Sequence, residues 1–311
     1  MATRQNVAAS APDRAVLALD RAVAVAERGV TDLPVTLVSA EDLRRLSAPD
    51  IRSRLDRMML GAHPDLGLDA LLAASILDVL LPEVKSMVGF GDGEFRHKDV
   101  WKHTKQVVQQ AEARLEVRWS ALFHDIGKVK TRSFGPNGEV HFFGHAEVGA
   151  RLFDKLERRE HLFASDAALR DSVRFLVLHH LRASQYAGDW TDSAVRRFAR
   201  EMGPHLGDLL CLSRADITTK RAEKKRRGIE MINQLAERIT TLAAEDAVVE
   251  PLPKGVGTAI MEAFGIPPSK RVGEIKRALE EAVEAGEIPA EQESAFYVQF
   301  LSENRARFGL G

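Results

Sequence analysis

Of 311 residues only one, Cys211, is a cysteine, so no internal disulfide can staple the fold. In the apolar run from Leu209 to Leu212 it reads as a small core residue, and a reducing, cytoplasmic setting fits that usage. Neither sign of charge dominates: 44 basic residues face 45 acidic ones, for a formal charge of −1. The chain as a whole is therefore no polyelectrolyte, and any contact with nucleic acid must come from a local patch. No apolar run approaches the roughly 20 residues that span a bilayer. Residues 1 to about 12 lack the continuous apolar centre of a signal peptide and are expected to be disordered. No repeat recurs at a fixed period, and the length allows one to three packed units.

What is present is mostly helical text. Val16, Leu17, Leu19, Val23 and Val25 predict a helix from Asp13, as a possible N-cap, to Gly29. Ser39 stands where a cap should, before Leu43, Leu46, Ile51, Leu55 and Met58, with a break expected near Pro49. Asp69 to Leu81 predicts a further helix stopped at Pro82. His97 to Leu115 carries His103 beside Val100, Val107, Val108 and Ala111, and Val117 to Ile126 follows. Pro136-Asn-Gly138 is a turn signal between short β-prone runs, predicting a small hairpin. Helical periodicity resumes around His145 and again from Leu169 to His180, then through Leu206 to Thr219 and along a long helix to about Ala244. Pro251-Leu-Pro253 reads as a linker before two or three small helices. The expected architecture is all-α.

The chemistry gathers at Trp119-Ser-Ala-Leu-Phe-His-Asp-Ile-Gly-Lys128. A buried apolar run ends there in an adjacent His124-Asp125 pair. Burying an imidazole and a carboxylate together is costly unless something cationic lies between them, and a divalent metal is the natural partner. One such pair can also be a mere helix cap, but His103 lies 21 residues before His124, His145 lies 21 after it, and His179, His180 and Asp216 follow. This ordered set resembles the HD superfamily of metal-dependent phosphohydrolases.

The resemblance implies a helical bundle whose core site is His103, His124, Asp125 and Asp216, with Asp125 bridging to a second ion held by His145 and one of His179 and His180. Leu178-His-His-Leu-Arg182 is most similar to the family's text with His180 as the ligand. Asp125 and Lys128 would be the catalytic groups. Lys128 and Arg182 would receive phosphate, the other reading being a solvated lysine and a salt-bridged arginine. One or two transition-metal ions are implied, and imidazole with carboxylate suits nickel, manganese, cobalt, iron or zinc alike. His63, His97, His141, His161 and His205 have no ordered motif around them and read as structural or exposed.

Within the superfamily the likeness narrows to bacterial tRNA nucleotidyltransferases and poly(A) polymerases that carry an HD domain. It is borne by His97-Lys-Asp-Val-Trp-Lys-His-Thr104, Phe142-Phe-Gly-His145, Trp190-Thr-Asp-Ser-Ala-Val-Arg-Arg-Phe198 and Arg214-Ala-Asp-Ile-Thr-Thr219. It implies a neck-like region over 13–92, an HD domain over 93–248 and a helical tail over 249–311. Residues 1 to 60 supply neither the Gly-Ser strand nor the paired aspartates with which those enzymes add nucleotides, so addition is not expected from this chain alone. The expected reaction is hydrolysis of a nucleotide or RNA-end phosphoester, 2′,3′-cyclic or 2′-phosphate in particular; the rival is a non-catalytic RNA-binding or adaptor protein. Lys220, Arg221, Lys224, Lys225, Arg226 and Arg227 form a basic run that reads either as a solvated helix face or as a contact to tRNA or RNA phosphates. It lacks interleaved aromatics, so base reading does not follow from it. No membrane is expected as a partner; a second copy of the chain is admitted.

Overall fold

The computed structural model describes residues 11–91, 99–247, 251–290 and 292–310. The expected disordered N-terminus lies almost entirely outside them, as does His97. Among these residues the fold is all-α but for one two-stranded hairpin. Helices α1 (Ala11–Arg28), α2 (Ala40–Arg44), α3 (Ala48–Leu60), α4 (Pro64–Ala73), α5 (Ile76–Leu80) and α6 (Pro82–Lys85) precede α7 (Val100–Gln110), α8 (Leu115–Phe123) and α9 (Lys128–Thr131). After β1 (Ser133–Phe134) and β2 (Val140–His141) come α10 (His145–Glu160), α11 (Ala167–His179), α12 (Asp192–Met202), α13 (Leu206–Ala215) and α14 (Ala222–Ala247). The last helices are α15 (Val256–Phe264), α16 (Lys270–Glu284) and α17 (Ser294–Glu303).

Two expected breaks fall at prolines that also open the following helix, and one expected helix differs in its bounds. The break expected near Pro49 is there, between α2 and α3; Pro49 itself sits in the first turn of α3, where its missing N–H would be unpaired anyway, behind the Ser47 cap. α5 stops just before Pro82 as expected, and Pro82 opens α6. The helix expected over 69–81 begins at Pro64 and is interrupted at Ser75, whose φ is +60°. Ser39 caps α2 as expected, in a reciprocal box with Asp42.

The chain forms two compact units, one reaching Thr240 and the other starting at Thr241, so the division falls within α14. In the first, α8 is the axis. Every residue from Val117 to Gly127 is buried, and α8 packs against α3, α7, α11 and α13. The helices before residue 92 are part of this unit and are tied to α8 by buried polar groups. The Arg118 guanidinium donates to the carbonyls of Met59, Gly61 (2.7 Å) and Ala111 (3.2 Å). Trp119 Nε1 donates to Asp56 at 2.8 Å, and Asp56 in turn holds Arg52, whose guanidinium lies 4.3 Å from the Phe163 ring centre. Trp119, Phe123, Phe153 and Phe163 complete a buried aromatic layer at this axis. The second unit has its own core around Leu252, Ile260, Leu279, Tyr297 and Leu301. No helix among the described residues is long and apolar enough to cross a membrane.

Candidate metal centre

Five side chains reach one point from the ends or the face of five helices. His124 is the C-cap of α8, His180 of α11 and Asp216 of α13; His145 is the first residue of α10; His103 lies on α7 beside that helix's buried face. Helix C-termini carry partial negative charge. Three of them meeting here favour a cation.

Each ring is held by its inner nitrogen. The Nδ1–H groups of His124, His145 and His180 donate to the carbonyls of Ala121, Phe142 and Val177, each at 2.8 Å. A carbonyl only accepts, so these rings carry a proton on Nδ1, and in the neutral ring Nε2 is then the bare nitrogen. His103 Nδ1 is bonded to the Thr218 hydroxyl at 2.9 Å. The four Nε2 atoms then face one another in pairs, His103 to His124 at 3.3 Å and His145 to His180 at 3.1 Å.

Asp125 lies between the pairs. Its Oδ2 is 3.2 Å from His124 Nε2 and 3.4 Å from His103 Nε2, while its Oδ1 is 3.6 Å from His145 Nε2. Asp216 Oδ1 adds contacts of 3.0 Å to His103 and 3.6 Å to His124. Lys128 Nζ donates to Asp125 Oδ2 at 2.7 Å. Asp125 is 1% exposed, and its Oδ1 has no hydrogen-bond partner.

Burial penalises the charged form of every group here, and the neighbours decide the outcome. His180 is driven down to about 4 by burial and by the nearby His124; His145 is lowered by burial as well. Both are neutral at pH 7. Burial also acts against a charged His124, but Asp125 and Asp216 overcome it and raise its pKa. Against the same penalty, His124, Lys128 and His103 hold Asp125 well below the carboxylate range, and His103 with His124 lowers Asp216 to about 2.

The second pair is the telling one. Two neutral imidazoles point lone pairs at each other across 3.1 Å beside a buried, unpartnered carboxylate oxygen. That arrangement is repulsive unless a cation lies among the three. His103, His124 and Asp125 form one group whose ligand atoms all lie within 4.8 Å of one another, and Asp125, His145 and His180 form another. Both sets fit a divalent ion by donor type and spacing, with Asp125 common to both.

The remaining sequence candidates fall elsewhere. His179 is in neither group; its ring packs 4.3 Å from Phe175, and burial together with Arg182 lowers its pKa. Arg182 is ion-paired with Glu201 at 2.6 Å and lies against the Phe198 ring. Of the basic run, Lys220, Arg221, Lys224, Arg226 and Arg227 are exposed, Arg226 being paired with Glu223. Lys225 is half-buried and donates to Gln110 at 2.7 Å. Two supports escaped sequence reasoning: Thr218, which stands in a quoted stretch but has no readable role, and the close approach of Gly127 to α10.

A family model described as the HD domain matches residues 98–224. The chain carries an HD domain. HD domains make up a superfamily of metal-dependent hydrolases. Over a longer stretch, the chain is 32% identical over 259 residues, 81% of its length, to the A-adding tRNA nucleotidyltransferase of Deinococcus radiodurans. It is 30% identical over 267 residues to the CC-adding tRNA nucleotidyltransferase of Thermus thermophilus, covering 82% of the chain. A Multifunctional CCA protein of Aliivibrio salmonicida is 31% identical over 130 residues, 40% of this chain and 31% of its own length. The HD-domain chain spans 58% and 57% of the length of the first two.

Proposed function

We propose that the chain is a metal-dependent phosphohydrolase acting on a phosphomonoester or phosphodiester at a nucleotide or RNA end, with 2′,3′-cyclic and 2′-phosphates as the favoured substrates. The observation that carries this reading is the pair of facing neutral imidazoles, His145 and His180, beside the unpartnered Asp125 oxygen. One ion would be held by His103, His124, Asp125 and Asp216, and another by Asp125, His145 and His180. Ions bound there would polarise a phosphoryl oxygen and lower the pKa of water.

The chain's own residues supply the rest. The Nδ1–H bonds of His124, His145 and His180 keep each ring aimed and leave Nε2 as the nitrogen that would meet an ion. Lys128, half-buried, holds Asp125 in orientation at 2.7 Å and adds a positive charge where a phosphate would approach. Arg182 would have to release Glu201 before it could do the same, which makes Lys128 the stronger phosphate contact. Burial of His124, Asp125 and His180 keeps bulk water from screening these charges.

Nucleotide addition by this chain alone is not part of the proposal. Residues 11–60 form α1, α2, α3 and their connections, with no strand and no Asp-x-Asp. The names of the relatives motivate a second reading, a tRNA- or RNA-binding protein that does no chemistry, with the basic run on phosphates. A panel of mono-, di- and cyclic phosphoesters separates the two. Protein loaded with nickel, manganese or cobalt should hydrolyse 2′,3′-cyclic nucleotides or 2′-nucleotides, and chelator should stop it. Lys128→Ala should raise KM or lower kcat with bound metal intact. Failure to hydrolyse any ester would favour the binding protein.

A further inference from the structure

Phe143 is 76% exposed, two residues before His145. Single apolar residues on a surface are ordinary; this one is placed and supported. Its ring stacks on His141 with centres 4.9 Å apart and planes at 16°. His141 is fixed in β2, paired with Ser133 across the hairpin. The segment is then tied to the metal centre twice, since the Phe142 carbonyl accepts both the backbone N–H of His145, at 3.3 Å, and its Nδ1–H, at 2.8 Å. Gly144, with φ +70°, makes the turn between them. Two Cα steps span at most about 7 Å, within the reach from a phosphate to the base of its own nucleotide.

Positive charge accompanies the stack. Lys128 lies 5.6 Å from the Phe142 ring, Lys130 is exposed, and Arg132 leads into β1 with its guanidinium 4.6 Å from the Phe90 ring. The segment's carboxylates are Glu139, turned onto Asn137, and the exposed Glu147. A flat, exposed, pre-stacked ring beside cations and a phosphate-directed centre matches an unpaired nucleobase. We propose that the His141–Phe143 stack is a base platform that receives the nucleobase of the nucleotide whose phosphate enters the metal centre. Phe143 is then a positioning and specificity residue that prefers nucleotides and unpaired RNA ends over sugar phosphates without a base. Because a π-face is common to all bases, it should discriminate weakly among them. This rests on the phosphohydrolase reading for the location of the phosphate.

The test uses the full chain loaded with manganese. A fluorescent nucleotide, 2-aminopurine riboside 2′-phosphate, is titrated into wild type, Phe143→Ala and Phe143→Tyr, with ribose 2-phosphate as the abasic competitor. Stacking quenches the fluorophore. Wild type should quench it; Phe143→Ala should lose the quench and lower the ratio of nucleotide to ribose-phosphate affinity about tenfold; Phe143→Tyr should restore both. Metal content per chain serves as the folding control. Absence of binding, binding without quenching, or an unchanged affinity ratio in Phe143→Ala overturns the platform. Hydrolysis is measured separately. Turnover with an unchanged ratio removes the platform and leaves the reaction; quenching that depends on Phe143 without turnover leaves the platform and removes the reaction.

Discussion

Replacing Gly127 by alanine tests whether the close approach of the His-Asp turn to α10 builds the second ligand group. Gly127 has ordinary helical torsions, φ −69° and ψ −23°, so a side chain meets no backbone strain. The obstacle is contact. A Cβ there would stand 2.0 Å from the His145 carbonyl oxygen and 2.7 Å from Gly149 N, whereas real Cβ contacts essentially never fall below 3.0 Å. The start of α10 must therefore retreat by at least 1.0 Å, the difference between 3.0 and 2.0. His145 moves with it. Backbone atoms cannot swing aside as a flexible side chain would, and overpacking of this kind costs roughly 1–3 kcal/mol, about 2–4 °C in Tm for each kcal/mol in a chain of this size. A misplacement of about 1 Å in a reacting site costs on the order of 10²-fold in rate. Calorimetry, metal content per chain and the phosphoester assay read the three effects. Gly127→Ala should melt lower, lose metal from the Asp125–His145–His180 group and lose about two orders of magnitude of activity. Gly207→Ala, where a Cβ meets nothing within 4 Å, should be neutral or slightly stabilising. Full metal content and near-normal activity in Gly127→Ala would refute the reasoning.

Other expectations follow from the same geometry. Asp125→Ala removes the carboxylate common to both groups and should deplete metal and abolish turnover, whereas His205→Ala should do neither; elemental analysis decides. His180→Ala should lose metal and His179→Ala should retain it, because only His180 joins a ligand group; equal losses would contradict the assignment. If Lys220, Arg221, Lys224, Lys225, Arg226 and Arg227 contact RNA phosphates, log affinity should fall against log salt with a slope of roughly −0.7 per phosphate neutralised on a single strand. Charge-neutral variants should flatten that slope, and an unchanged slope would make the run a solvated helix face.

The sequence by itself carried the helical class, because apolar spacing of three and four residues and cap residues such as Ser39 act locally. It also carried the site's centre: a His-Asp pair at the end of a buried run has few uses, and its ordered companions narrowed them. Local signals placed the breaks near Pro49 and at Pro82, where each proline also opens the next helix. Tertiary structure brought His180, and not His179, to His145. Neighbours on a helix point about 100° apart, so only one of the doublet can face His145, and spacing alone does not say which. It decided that Arg182 is engaged by Glu201, and that Gly127 must lack a side chain because α10 comes to rest against it. It also brought Thr218 to His103 across 115 residues of sequence. These are contacts between elements distant along the chain. Their partners are chosen by how the helices pack against α8, which no window of sequence around either residue contains.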